Sequence, residues 1–281
     1  MAPDLGEHAG RYPLIFMKAK AKSGLARRPA SVEVSEEGGL RSLHLGGDAV
    51  QSAIRLARPD ELALDYTRAM MAFLLFQPLP REVLMIGLGG GSMARYIHQR
   101  MPGTRTTVVE INAKVLAAAR SLFHFPADDS RLEVAIADGA DYLRDHAESA
   151  DVLLVDGFDD GAQPAALCTQ AFYDAAYAAL RNGGVMAVNF MAQERKLDAY
   201  LQRIGNSFGG QMACLDAADR VNLIAFAFKR NPRQIAWAEL QRRARQLKKD
   251  HVLPLDDFVA GLKKRNPHTR SALSLRSAEA D

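Results

Sequence analysis

Five acidic residues follow apolar runs of the sequence, at spacings that could bring them to one ligand. They are Glu110 in "TTVVEINAKVL", Asp138 in "EVAIADGADYL", and Asp156, Asp159 and Asp160 in "DVLLVDGFDDG". A carboxylate at a strand end can hold ribose hydroxyls or an adenine amine, and a loop carboxylate can bind an ammonium group or take its proton. The four aspartates also have purely structural explanations, because aspartate often caps helices and collects in surface turns.

A glycine-rich stretch, "VLMIGLGGGSMARYI" (83–97), lies shortly before these acids. Its glycines, between an apolar run and a predicted helix, are Gly87, Gly89, Gly90 and Gly91. Glycine lets the backbone turn sharply and approach a ligand closely, so the stretch predicts a strand, a ligand-binding turn and a helix. The turn alone is weak evidence, because serine replaces the third glycine of GxGxxG. Glu110 strengthens it, since a ribose carboxylate is expected about twenty residues further on.

Strands and helices alternate through the region that holds these residues. The strand candidates are 82–87, 105–110, 132–136, 151–156, 184–190 and 221–228, with helical stretches between them. This alternation predicts an α/β fold with a doubly wound, mostly parallel sheet that is covered on both faces. Ligands of such sheets bind beyond the carboxyl ends of the central strands. Because strand order cannot be read from the sequence, a dinucleotide dehydrogenase also remains open on the glycine turn alone.

Smaller units flank the predicted sheet. Residues 31–56 give short alternating runs separated by glycines, which indicates consecutive β-hairpins, and residues 61–76 have helical spacing. We expect an N-terminal extension with the hairpin unit over 1–60, an α/β domain over 61–260 and a flexible tail over 261–281.

Composition limits the classes of partner. The 281 residues are 48% apolar and 25% charged, and a net charge of +3 is too small to indicate a nucleic-acid or membrane partner. The basic run at 237–251 favours a solvated helix face over an RNA contact. Cys168 and Cys214 lie in no CxxC or cysteine/histidine cluster, so neither a disulfide nor a zinc site is expected. No apolar run is typical of a signal peptide or a membrane span, and we expect a cytoplasmic protein.

The quoted motifs together resemble those of the spermidine synthases, or polyamine aminopropyltransferases. "VLMIGLGGGSMARYI" is similar to the family's glycine motif, "VVEIN" to its ribose-binding VEID, and "ADG" to its adenine-contacting acidic pair. The segment from "LLVDGFDDG" is similar to the one that begins D-S-S/T-D-P, while "GDAVQSAI" and "LDYTRAMM" are similar to its DGxxQ and YHE segments. The resemblance covers roughly residues 40 to 230 and implies the class I S-adenosylmethionine-dependent methyltransferase fold behind a β-hairpin domain.

The same resemblance implies roles for individual residues. The residues implied to bind the donor nucleoside are Gly87, Gly89, Gly90, Gly91, Glu110, Ile111, Asp138 and Gly139. Gln51, Tyr66 and Asp159 are implied to bind the amine acceptor, and Asp156 is implied to act as its base. A protonated amine attracts carboxylates, and it must lose a proton before it attacks the carbon beside a sulfonium. Because the sulfonium is an activated leaving group, this chemistry requires no metal. The resemblance further implies a homodimer.

Four positions depart from the family pattern. Gly90 stands where the family has the aspartate that holds the donor's amine, Thr67 and Arg68 replace the histidine and the glutamate of YHE, and Asp160 replaces the proline. The leading hypothesis is aminopropyl transfer from decarboxylated S-adenosylmethionine to an amine such as putrescine. A methyltransferase is the alternative, in which Arg68 binds the carboxylate of intact S-adenosylmethionine or of an acidic acceptor. A nucleoside-binding protein without catalysis is a third hypothesis.

Overall fold

A three-stranded antiparallel sheet begins the part of the chain that the structure describes. The structure is a computed structural model, and it describes residues 31–47, 49–158, 163–230 and 233–275. The strands are β1 (Val32–Glu37), β2 (Leu40–Leu45) and β3 (Val50–Arg55). Gly38 and Gly39 join the first two, both with positive φ as a two-residue hairpin turn requires. The predicted hairpins are therefore present, and the first thirty residues of the predicted extension lie outside the described ranges.

A seven-stranded sheet forms the centre of the fold. Its strands in chain order are β4 (Glu82–Ile86), β5 (Arg105–Glu110), β6 (Leu132–Ile136), β7 (Ala150–Val155), β8 (Leu180–Met191), β9 (Met212–Asp216) and β10 (Asn222–Phe228). Their spatial order is β6-β5-β4-β7-β8-β10-β9, and β10 runs in the direction opposite to the other six strands. The chain reverses direction across the sheet between β4 and β7, which is where ligands of such sheets bind. The predicted doubly wound, mostly parallel sheet is confirmed.

Helices cover both faces of this sheet. They are α1 (Asp65–Met70), α2 (Ser92–Arg100), α3 (Ala113–Leu122), α4 (Gly139–Arg144), α5 (Gln170–Ala179), α6 (Leu197–Phe208), α7 (Trp237–Leu247) and α8 (Leu255–Arg265). Alternate residues of each central strand enter two separate apolar cores, with Val83 and Met85 on one face of β4 and Leu84 and Ile86 on the other. Burial on both faces explains why these strands are almost wholly apolar. Within the described ranges, no helix is long and apolar enough to cross a membrane.

The helix predicted over 61–76 is divided into two short pieces. After α1 the chain tightens into a 3-10 helix at Met71–Leu75, and all five of its residues are fully buried. The terminal carbonyl oxygens of Leu75 and Phe76 accept hydrogen bonds from Arg243 of α7. A tightened last turn and a cationic cap are common ways to satisfy the open carbonyls of a helix end.

The C-terminal segment is packed where the sequence predicts a flexible tail. The short strands β11 (Gln234–Ala236) and β12 (Ala272–Ser274) pair in antiparallel register. Leu273 and Leu275 are fully buried in the main core, which holds the segment in place. The expectation of a tail from residue 261 is therefore wrong up to residue 275, and residues 276–281 lie outside the described ranges.

Candidate active site

A cavity of about 480 Å³ opens at the carboxyl ends of β4, β5 and β7. The glycine turn after β4 forms one wall and Gln51 of β3 closes another side. Three charged side chains belong to the part of the wall that the structure describes, namely Glu110, Asp138 and Asp156. Arginine, lysine and histidine are absent from that described wall. The cavity is thus negatively charged and suits a cationic ligand.

The glycine turn approaches the end of β7 very closely at Gly87. This residue has a φ of +94°, and a Cβ atom there would lie 2.3 Å from the carbonyl oxygen of Asp156. The backbone N–H of Gly87 donates to Val109, and that of Asp156 donates to Ile86. Only glycine fits between these strand ends, so Gly87 brings the turn and Asp156 to the same cavity.

Gly90 and Gly91 face away from the cavity, toward two phenylalanine rings. A Cβ atom on Gly90 would lie 2.8 Å from the ring of Phe123, and one on Gly91 would lie 2.3 Å from the ring of Phe125. Arg95 of α2 is buried and holds this segment by donating to the carbonyl oxygen of Phe123 at 2.5 Å. Gly87 and Gly89 line the cavity, while Gly90 and Gly91 do not.

Glu110 joins the glycine turn to the end of β5. Its side chain is only 7% exposed, and its Oε2 accepts the backbone N–H of Leu88 at 2.9 Å. Its Oε1 accepts the backbone N–H of Asn112 at 2.8 Å. Burial raises the pKa of Glu110, and these backbone hydrogen bonds oppose that rise. Glu110 therefore fixes the turn and also lines the cavity.

Asp138 caps a helix and also lies at the cavity. It is the N-cap of α4, where its Oδ1 accepts the backbone N–H groups of Ala140 and Asp141. It also lines the cavity together with Gly139. Ile111 lines the same side, with 70% of its surface exposed. The helix cap holds the Asp138 carboxylate in a fixed position at the cavity.

Asp156 lines the cavity and interacts with Tyr66 and Asn189. Asn189 donates from its Nδ2 to Asp156 Oδ1 at 2.9 Å. The Tyr66 hydroxyl donates to the carbonyl oxygen of Gln51 at 2.8 Å and also lies within hydrogen-bonding reach of Asp156. Burial raises the pKa of Asp156 to about 6, and the hydrogen bonds from Asn189 and Tyr66 oppose the rise. Burial also raises the pKa of Tyr66, as does the nearby Asp156 carboxylate.

Arg68 is directed away from the cavity. Its guanidinium donates to the carbonyl oxygen of Leu62 at 2.6 Å and to that of Ala63 at 3.2 Å, and it pairs with Asp65. It therefore connects α1 to the residues that precede the helix. The alternative in which Arg68 binds a substrate carboxylate is not supported by this placement, because both terminal nitrogens of its guanidinium bond its own segment.

Two of the loop aspartates, Asp159 and Asp160, lie outside the described residues. Gln163 is the first described residue after them, and its Nε2 donates to the carbonyl oxygen of Asn189 at 2.5 Å. Sequence reasoning did not find Gln163 or Asn189. An amide within the apolar run "VMAVNFM" was the available signal for Asn189, because a buried amide needs hydrogen-bond partners.

Comparison with known proteins identifies the family of this chain. A family model described as the spermine/spermidine synthase domain matches residues 64–207. The polyamine aminopropyltransferase of Chromobacterium violaceum is 40% identical over 242 residues, which cover 86% of this chain and 93% of that protein. The chain belongs to the spermine/spermidine synthase family. It is a transferase of this family, as the motifs predict.

Other members of the spermine/spermidine synthase family show the same relationship. The polyamine aminopropyltransferase of Neisseria meningitidis is 40% identical over 249 residues, covering 88% of this chain and 93% of that protein. A crystal structure of spermidine synthase in complex with the transition state analogue AdoDATO matches with a TM-score of 0.67. It is 21% identical and covers 84% of this chain and 82% of that chain, so it supports the fold.

Proposed function

We propose that this transferase moves the aminopropyl group of decarboxylated S-adenosylmethionine to a cationic amine such as putrescine. The observation that carries the proposal is the charge of the cavity wall, whose described part has three carboxylates and no cationic side chain. Decarboxylated S-adenosylmethionine carries a sulfonium and an ammonium group, and the acceptor is a cation as well. Intact S-adenosylmethionine adds a carboxylate, which this wall would repel. Methyl transfer is therefore not favoured.

The donor would lie between the glycine turn and α4. The oxygens of Glu110 would accept from the two ribose hydroxyls, while Asp138 would accept from the exocyclic amine of adenine. Gly139 and Ile111 would lie against the ring. Gly87 and Gly89 leave the turn open to the methionine-derived end. Gly90 and Gly91 would act indirectly, by letting the turn pack on the rings behind it.

The acceptor would lie beside Asp156, with Gln51, Tyr66 and Asp159 around it. The Asp156 carboxylate takes one proton from the acceptor's ammonium group and leaves a neutral amine. The nitrogen lone pair then attacks the carbon beside sulfur, the C–N bond forms and the C–S bond breaks. The bonding electrons pass to sulfur, which leaves as a neutral thioether nucleoside, and the new secondary amine carries the positive charge. A raised pKa makes Asp156 a stronger base than an exposed aspartate.

Calorimetry on nucleoside-free protein tests the donor assignment. We expect decarboxylated S-adenosylmethionine to bind at least tenfold more tightly than the intact form, which corresponds to about 1.4 kcal/mol. Arg68→Gln is the matched control, because this cation does not face the cavity and its loss should leave the preference unchanged. Tighter binding of the intact donor, together with loss of that binding in Arg68→Gln, would overturn the proposal. A homodimer is also proposed from the family relationship, and light scattering of the purified protein tests it.

A further inference from the structure

Two buried asparagines connect the end of the central sheet to Asp156. Asn189 lies on β8 and Asn222 on β10, and they are 1% and 7% exposed. In the antiparallel register, Asn222 is opposite Met191 and Ile224 is opposite Asn189. The two asparagines are therefore diagonal neighbours on one face of the sheet. Polar side chains in such apolar strands are costly unless each makes hydrogen bonds.

The hydrogen bonds between these residues have a defined direction. Asn222 donates from its Nδ2 to Asn189 Oδ1 at 2.9 Å, and it contacts the Sδ atom of Met191 at 3.7 Å. Asn189 then donates from its own Nδ2 to Asp156 Oδ1 at 2.9 Å. If the Asn189 amide were rotated by half a turn, its oxygen would face the Asp156 carboxylate and its N–H group would face the N–H group of Asn222, so both hydrogen bonds would be lost. The bond from Asn222 and the Asp156 carboxylate therefore favour the same orientation, in which Asn189 is a donor to Asp156.

We propose that Asn222 is a positioning residue, which orients the Asn189 amide so that its N–H holds the Asp156 carboxylate toward the acceptor. Asn222 does not itself line the cavity, and it acts through Asn189. The catalytic consequence rests on the proposed function, in which Asp156 is the base. The structural consequence, a fixed amide donor to Asp156, does not depend on that function.

The groups around Asp156 determine whether its pKa should rise or fall when Asn222 is removed. Tyr66 approaches it from α1, and Glu110 and Asp138 share its cavity from the ends of β5 and β6. Burial favours the protonated form of Asp156. Asn189 opposes this effect by donating to the ionised form. Without Asn222, the amide of Asn189 can turn its oxygen toward Asp156, and the carboxyl should stay protonated to higher pH.

Two variants test the hydrogen bond from Asn222 to Asn189. One removes this bond, and the other reverses its direction. Asn222→Leu has a similar volume and removes the donor. Asn222→Asp is nearly isosteric and replaces the donor with an acceptor, so Asn189 should turn its N–H away from Asp156. Asn206→Leu is the matched control, because Asn206 is exposed on α6 and bonds only Gln170 among its described side-chain contacts.

The first readout is the pKa of the Asp156 carboxyl, measured by carbon NMR on protein labelled at aspartate, with Asp156→Asn to assign the signal. We expect this pKa to rise by about one unit in Asn222→Leu and by more in Asn222→Asp. Asn206→Leu should leave it unchanged. Unchanged values in both Asn222 variants would overturn the inference, and Asn222→Asp keeps the test available if Asn222→Leu does not fold.

The second readout is the pH profile of kcat/KM with decarboxylated S-adenosylmethionine and putrescine. At pH values below the pKa of Asp156, kcat/KM of Asn222→Leu should be about tenfold lower than that of the native protein, while kcat/KM near pH 9 is retained. A uniform loss at all pH values would contradict positioning and indicate a general structural defect. If the native protein does not turn over but the NMR shift is present, the proposed function fails and the positioning of Asp156 stands.

Discussion

A side chain at position 90 should destabilise this protein, although the family's glycine motif carries an aspartate there. A Cβ atom at Gly90 would lie 2.8 Å from the Phe123 ring and 2.9 Å from Ser52 Oγ. The ring is fully buried, and its backbone carbonyl is held by Arg95, so it has little freedom to move. Overpacking of this kind costs about 1–3 kcal/mol. At about 2–4 °C for each kcal/mol, Gly90→Ala should unfold roughly 2 to 12 °C below the native protein.

Thermal and urea unfolding of three variants measures this effect. Gly90→Asp should be at least as unstable as Gly90→Ala, because its carboxylate is also placed against an aromatic ring. Gly103→Ala is the matched control, since no heavy atom lies within 4 Å of the Cβ position there. It should be neutral or more stable by up to about 1 kcal/mol, through the reduced entropy of the unfolded chain.

A double-mutant cycle identifies Phe123 as the cause. Phe123→Leu makes room at the ring, so the loss in the double variant with Gly90→Ala should be smaller than the sum of the single losses by about 0.5 kcal/mol or more. If Gly90→Ala is as stable as Gly103→Ala, or if the two losses simply add, the crowding explanation for the missing aspartate is refuted.

Further predictions concern the charged residues of the site and of α1. Asp156→Asn should lower kcat/KM by about 10²–10⁴ while calorimetry still detects donor binding. The native kcat/KM should rise with pH through about 6, where the pKa of Asp156 lies, because only the carboxylate takes a proton. Since that pKa is raised above its unfolded value, the ionised carboxylate disfavours the folded state, so Asp156→Asn should raise Tm at pH 8 and lose this advantage by pH 4. Glu110→Gln should weaken donor binding at least tenfold in calorimetry, because one amide oxygen cannot replace two carboxylate oxygens that accept from Leu88 and Asn112. Arg68→Gln should lower stability in urea unfolding by about 1–2 kcal/mol through the loss of its carbonyl hydrogen bonds, and unchanged stability would contradict that role.

The central strands and the carboxylates at their ends could be predicted from the sequence. Residues such as Val83 to Ile86 are buried on both sheet faces, so each strand reads as an uninterrupted apolar run. Glu110 and Asp138 follow directly after such runs, and parallel strands bring their carboxyl ends to one edge. The local sequence was therefore sufficient to place these residues at one cavity.

The remaining features depend on contacts between distant segments. The sequence spacing could not show that Arg68 turns back to Leu62, or that the rings of Phe123 and Phe125 fill the space beside Gly90. The packing of the C-terminal segment could not be predicted either, because β12 has only three residues, too few for a recognisable strand pattern. Burial of Leu273 holds this strand in place. Tertiary packing decides such cases over local pattern.

The most direct test of the account is a turnover measurement with both donors. The purified protein is incubated with putrescine and either decarboxylated or intact S-adenosylmethionine, and the products are quantified by mass spectrometry. We predict equal amounts of the methylthioether nucleoside and the aminopropylated amine from the decarboxylated donor, with strong suppression in Asp156→Asn. Consumption of the intact donor to S-adenosylhomocysteine, with the decarboxylated donor left unchanged, would contradict the account.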